Sequence, residues 1–436
     1  MTDLTLAGGR VVDPATGRDA VANVRIAAGV VVEVGGPVVG EVVDVSGCVV
    51  APGLVDPHVH LREPGGEESE TIDSGTRAAA LGGYTAVSAM ANTTPVPDVP
   101  DRIADVRARA ATAWCDVAPV SAITMGLAGE EVVDFAAMAA AGVRYASDDG
   151  RPVGSAHVMR TALVSAARNG IVIGNHSEEP TLTVGAQANE GRPATSAGLT
   201  GWPHEAEETM IARDIILAEG AGARLHVPHI STAQSVDIIR WAKARGVRVT
   251  AEATPHHFTL TDELVRTRDS VFKVNPPLRS RDDVRAVREG LRDGVIDMIA
   301  TDHAPHADEH KAVDWEQAPC GMLGLETALG LALTQLVRDD GMSLSRVVAA
   351  MSTVPARTFG FDDHGGPLVP GAAANLVVFD PQAAWTVRTE QSASRSRNGP
   401  FEGFQLHGRV VHTLLRGNFT VRDGAIVEAS HTDRVT

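Results

Sequence analysis

Between roughly residues 51 and 365 the chain repeats one pattern, a short apolar run followed by a stretch of helical spacing. Eight such runs, at 53–58, 84–90, 115–123, 143–147, 170–175, 223–228, 247–253 and 295–301, read as strands. Eight strands with intervening helices over this length predict an α/β fold, a (β/α)8 barrel. The helix signals agree. Ser280-Arg281-Asp282-Asp283 fits a capping box ahead of a helix that ends near Gly294. Met210 to Ala218 carries apolar residues at helical spacing. The Ala-rich stretch 76–81 runs into Gly82-Gly83, a stop before the next strand.

The two ends have a different texture. Residues 1–50 hold Val-rich runs broken by glycine, at Arg10–Asp13, Val24–Ile26 and Val30–Val34. The tail repeats this at Asn375–Asp380, Trp385–Val387, Val410–Leu415 and Gly424–Val427. Neither end alone has the apolar surface for a core. The expectation is one β-sandwich built from 1–50 and 366–436, with the barrel, 51–365, inserted between them. No apolar run reaches the ~18–20 residues that cross a bilayer, and Met1-Thr2-Asp3-Leu4-Thr5 has neither the basic region nor the apolar core of a secretion signal. Cys48, Cys115 and Cys320 are odd in number and far apart, as free thiols in a reducing cytoplasm would be. A net charge of −17 with no basic stretch argues against nucleic acid as a partner.

Residues that carry chemistry recur where the proposed strands end, the rim at which a barrel does its work. The first strand ends in His58-Val59-His60, and side chains that alternate with period two put both imidazoles on one face. Arg62 follows beside them. The fourth strand ends in Ser147-Asp148-Asp149-Gly150, the fifth in Asn175-His176, the sixth in His229 and the eighth in Thr301-Asp302-His303. Four imidazoles and two carboxylates exceed what one tetrahedral zinc takes, and suit two divalent ions sharing a bridging water. Two close cations need an anion between them. A carboxylated lysine is ruled out before Lys243, since Lys243, Lys273 and Lys311 are the only lysines. A carboxylate from the fourth strand remains, with Asp148 and Asp149 competing, and adjacent residues face opposite ways. Asp302 is the candidate general acid/base, against a structural reading as a helix cap.

Arg62 offers a fork to a substrate carboxylate. Asn92, Asn275 and His306 offer donors or acceptors at amide edges, although Asn near Pro is also ordinary loop chemistry. The polar segment 307–321 is long enough for a lid. His226 is expected to pack on the far side of its strand, and His256 and His257 stay open. His157, His204, His310, His364, His407, His412 and His431 read as surface or tail residues.

The motifs DPHVHLREPG (56–65), NTTP (92–95), SDDG (147–150), NHSE (175–178), HIST (229–232), NPPLR (275–279), TDHAPH (301–306) and GLETALGL (324–331) resemble the amidohydrolase superfamily, and within it the dihydroorotases of the bacterial long-chain class. That resemblance implies two zinc ions bridged by Asp149 and a hydroxide. It makes His58, His60, Asp149, His176, His229 and Asp302 metal ligands and Asp302 also the catalytic acid/base. His60, Arg62, Asn92, Asn275, His306, Cys320 and Gly321 would contact substrate. Many relatives carry a lysine bridge that this chain lacks, which matches the Asp-bridged subgroup. Asn175 stands where a small residue is expected. The implied reaction is reversible hydrolysis of dihydroorotate to N-carbamoyl-L-aspartate, with a hydantoinase, an allantoinase or an inactive scaffold as alternatives. A homodimer and a docked aspartate transcarbamoylase remain open as partners, and a membrane does not.

Overall fold

The computed structural model describes residues 3–428, so Met1, Thr2 and His431 lie outside it. Each of the eight expected runs contains a strand. They are β1 (Leu54–Val59), β2 (Tyr84–Ala89), β3 (Asp116–Pro119), β4 (Tyr145–Ser147), β5 (Val172–Gly174), β6 (Arg224–Val227), β7 (Val249–Ala253) and β8 (Met298–Ile299). All pair in parallel: β1, β2 and β3 form one sheet and β4 to β8 a second, in sequence order. A parallel bridge from Ser121 to Ala146 joins β3's continuation to β4, and another from Val59 to His303 joins β1 to the residues after β8. The fold is mixed α/β. Every residue of β1 and β2 is buried, as in strands covered on both faces.

The helices form where their caps indicate. Ser280 and Asp283 close a reciprocal capping box on Arg281–Asp293, and Gly294 ends that helix at φ +76°. Glu205–Ala221 covers the Met210–Ala218 pattern, and Ile72–Leu81 stops at Gly82.

Both chain ends form strands that share one core. A four-stranded sheet runs in the order Val30–Val34, Val24–Ala27, Leu4–Ala7, Glu41–Asp44. A seven-stranded sheet includes Arg18–Val21, Arg10–Asp13 and Val49–Pro52 next to Leu376–Thr386 and Gln405–Leu415. Leu6, Val24 and Ile26 of the first sheet cluster with Val11, Val50, Leu376, Val378 and Leu414 of the second. The apolar run Cys48–Val55 is cut at Gly53. Val49–Pro52 belongs to the seven-stranded sheet and Leu54–Val59 to β1. A Cβ at Gly53 would sit 2.3 Å from the Thr85 side chain, so only glycine allows the chain to change sheets there.

Segment 307–321 is a fastened wall. It holds a short helix, Asp308–Lys311, and a buried Trp315 whose indole N–H donates to the Gln187 carbonyl at 3.0 Å. Lys273 Nζ donates to the Trp315 carbonyl at 2.7 Å, and Lys311 Nζ to the Pro319 carbonyl at 2.9 Å. His364 and His412 are buried, contrary to the surface expectation. His364 bonds Thr85 and Asp116, and His412 accepts from the Asp423 amide. His364 fills a polar need between elements distant in sequence, which no local pattern announces, whereas the partner of His412 lies 11 residues on.

Candidate metal centre and active site

The ends of β1, β4, β5, β6 and β8 deliver His58 and His60, Asp149, His176, His229 and Asp302 to one place. Ligand atoms of His58, His60, Asp149 and Asp302 lie within 4.8 Å of one another, and so do those of Asp149, His176 and His229. Asp149 belongs to both groups. Its Oδ2 is 3.4 Å from His58 Nε2 and 3.3 Å from His60 Nε2, while its Oδ1 is 3.2 Å from His229 Nε2 and 3.5 Å from His176 Nδ1. Asp148 turns the other way, accepting from the amides of Ile123 at 2.6 Å and Thr124 at 3.1 Å, as alternation along a strand requires.

The outer partners fix which nitrogen points inward. A carboxylate can only accept, so His58 Nδ1–H donates to Glu252 Oε1 at 2.6 Å and His176 Nε2–H to Glu178 Oε2 at 3.1 Å. His60 Nδ1 lies 2.8 Å from Asn92 Oδ1. Each ring then turns its other nitrogen toward Asp149, and those of His58 and His60 also face Asp302. His58 Nε2, fully buried, has no hydrogen-bond partner. Converging lone pairs and carboxylates repel unless a cation or protons sit among them, and this donor set fits divalent metal ions.

The proton affinities carry the same message. Burial would lower His58, yet Asp149, Glu252 and Asp302 raise it well above the ordinary imidazole value. His176 is likewise depressed by burial but lifted to about 10 by its bonds to Asp149 and Glu178. Burial would raise Asp149, but the surrounding imidazoles hold it well below the usual carboxylate range. Asp302 is also lowered, its burial outweighed by His58 and His60, whose Nε2 is 3.0 Å from Asp302 Oδ1.

Strain marks the same residues. Arg62, His229 and Asp302 have φ of +60°, +33° and +47°, a region that side chains avoid and that costs on the order of 1–3 kcal/mol each. Their surroundings hold them there. Asp56 accepts from the His58 amide at 3.1 Å and the Thr301 amide at 3.2 Å, tying β1 to the end of β8. The His229 amide donates to Glu252, and Arg62 Nε donates to the Pro305 carbonyl at 3.0 Å.

A cavity of about 210 Å³ opens over the metal-competent groups. His60, Arg62, Asn92, Asp149, His176, Asn275, Asp302, His306, Cys320 and Gly321 all line it, so every expected substrate-contact residue reaches one space. His58 and His229 lie behind them. His306 is kept neutral, its value pushed down to about 3 by burial and by the Arg62 charge, and its Nε2–H donates to the Cys320 carbonyl at 2.8 Å.

Several residues of the site were not legible as such. Glu252, fully buried on β7, sits between His58 and His226, whose Nε2 is 2.9 Å away, so His226 does more than pack. Burial would raise Glu252, but the two imidazoles hold it far below the carboxylate range. Glu178 is brought to about 2, as His176, Thr183 and Asn275 overcome its burial. An acid inside the apolar run ending the Val249–Ala253 strand was the available signal for Glu252. Asn175 is structural, its side chain bridging the Val153 amide and Asp214 at 3.0 and 2.8 Å. His257 bonds the Pro276 carbonyl at 3.0 Å and so supports the Asn275 loop, and His256 is buried and held neutral by burial.

A family model described as Dihydro-orotase-like matches residues 47–235. A dihydroorotase of Streptomyces coelicolor is 51% identical over 389 residues, 88% of this chain and 91% of that protein. A dihydroorotase of Mycobacterium tuberculosis is 49% identical over 89% of this chain and 91% of that one. Among solved structures, the L-hydantoinase (dihydropyrimidinase) of Arthrobacter aurescens aligns over 99% of this chain and 98% of its own, with a TM-score of 0.87 at 26% identity. The dihydropyrimidinase of Brevibacillus agri aligns with a TM-score of 0.86, also at 26% identity, over 98% of this chain and 96% of that one.

Proposed function

The chain belongs to the dihydroorotase family, and from that premise we propose that it hydrolyses dihydroorotate reversibly to N-carbamoyl-L-aspartate at a pair of zinc ions. It is a cyclic amide hydrolase of pyrimidine biosynthesis. The observation that carries the proposal is the division of one cavity. Imidazole and carboxylate lone pairs converge at its floor, and a guanidinium with two amides lines its wall.

His58, His60, Asp149 and Asp302 would hold one cation, and His176, His229 and Asp149 the other. Divalent ions held there would supply Lewis acidity, lowering the pKa of water toward neutrality and polarising a carbonyl. Asp302, kept ionised by the imidazoles around it, takes the proton from the attacking water. It delivers that proton to the ring nitrogen as the C–N bond breaks, so the ring opens to a ureido group and a carboxylic acid, which releases its remaining proton to solvent as the carboxylate. Arg62 and Asn92 hold the exocyclic carboxylate, while Asn275, His306 and the backbone at Cys320-Gly321 position the ring. Glu252 and Glu178 orient the imidazoles from behind.

We read the parallel strands as a (β/α)8 barrel over 51–365, supported by the bridges that give β1 a neighbour beyond β8. We read 1–50 with 366–436 as a composite β-sandwich, supported by their common core. Among the described residues no helix is long and apolar enough to cross a membrane. We place the reaction in the cytoplasm, supported by the three free cysteines. The same reading admits a homodimer and a docked aspartate transcarbamoylase, both open to size-exclusion chromatography.

The deciding experiment supplies zinc to the purified protein and compares dihydroorotate with unsubstituted dihydrouracil, alongside elemental analysis. Preferred turnover of dihydroorotate with about two zinc per chain is expected. Preference for dihydrouracil, or less than one bound metal, rejects the proposal. Glu252→Gln removes the charge behind His58 and should weaken zinc binding by about 10- to 100-fold. Competition with a chelator measures this, and an unchanged affinity would remove Glu252 from the ion's support.

A further inference from the structure

The active-site wall is closed by a residue from the C-terminal segment. Asn398 is 4% exposed and lies far in sequence from every strand end that carries chemistry. Its Nδ2 donates to the Ala304 carbonyl at 2.9 Å and to the Gly321 carbonyl at 3.1 Å. Its Oδ1 accepts from the His306 amide at 3.1 Å. Ala304, His306 and Gly321 all line the 210 Å³ cavity, so one amide group spends its hydrogen bonds on three pieces of its wall.

The rest of the segment is fastened at other points. Ser394 Oγ and the Arg395 amide donate to the buried Glu70, which accepts from His303 Nε2 at 3.3 Å, next to Asp302. Ser396 Oγ donates to the Ser69 carbonyl at 2.6 Å, away from the cavity. The segment therefore ties the loop after β1 to the residues after β8.

We propose that Asn398 is a positioning residue for the substrate ring, setting the register of His306 against Gly321. This rests on the dihydroorotase reading of the cavity. An amide is suited to the task. The site needs two donors and one acceptor in a plane, and aspartate would face two carbonyls with a charge and no donor. Glycine at 321 is part of the same arrangement. Its φ is +149°, and a Cβ there would lie 2.7 Å from His306 Nε2, so the His306 ring can rest directly on the backbone that Asn398 holds.

Asn398→Ala, with steady-state kinetics on dihydroorotate and metal analysis, tests this. A displacement of the wall on the order of 1 Å should raise KM or lower kcat/KM by about 100-fold with zinc content unchanged. Ser396→Ala, which removes a bond of the same segment outside the cavity, should lower the melting temperature and leave KM within about two-fold. Equal loss of melting temperature in both variants with KM unchanged would make Asn398 a staple only and overturn the proposal. Where Asn398→Ala does not fold, the near-isosteric Asn398→Asp is read in its place, expected to show the same KM effect. If neither folds, the residue is structural and the proposal fails. Wild-type protein that turns over dihydrouracil in preference to dihydroorotate rejects the substrate reading instead, and the variant comparison is then read on that substrate.

Discussion

Asp302→Asn should lower turnover of dihydroorotate by about 10²–10⁴-fold at every pH, the range lost when a positioned proton carrier is removed. The amide keeps the shape and an oxygen toward His60 but can neither accept nor release a proton. No pH restores what it lacks, so the rate against pH should drop as a whole without shifting. Zinc measured on the same preparation separates loss of the carrier from loss of the ion. A variant that keeps more than about a tenth of wild-type activity would mean the proton travels by another group.

Arg62→Met should raise KM for dihydroorotate by about 10- to 100-fold while zinc stays bound. A hydrogen bond to a charged group contributes about 1.5–3 kcal/mol, and each 1.4 kcal/mol is roughly a factor of ten. The guanidinium is anchored through Nε on the Pro305 carbonyl, and one outer nitrogen lies 3.4 Å from His306 Nε2, so its fork is aimed along the cavity wall. Dihydrouracil has no carboxylate to lose, so its kinetics should be nearly unaffected. If zinc leaves instead, Arg62 supports the metal residues and does not select the substrate.

The site was readable because strand ends carry residues that burial otherwise discourages. His58-Val59-His60 and Thr301-Asp302 stand out against apolar runs, and both reach the same cavity floor. The division of labour between Asp148 and Asp149 follows from alternation, although only the structure shows which one faces Thr124. The supporting residues were hidden for different reasons. Glu252 is a lone acid in a strand, and its meaning depends on His58, 194 residues earlier. Glu70 and Asn398 lie in segments without periodicity, and their partners are fixed by chain crossings that no local pattern encodes. Arg18–Val21 escaped because it is exposed along its whole length, so it shows no inward face.

Asp149 stands in both metal-competent groups, so neither is complete without it. Its carboxylate is the one anion common to the two, so a single truncation at this position would disarm both halves of the floor at once.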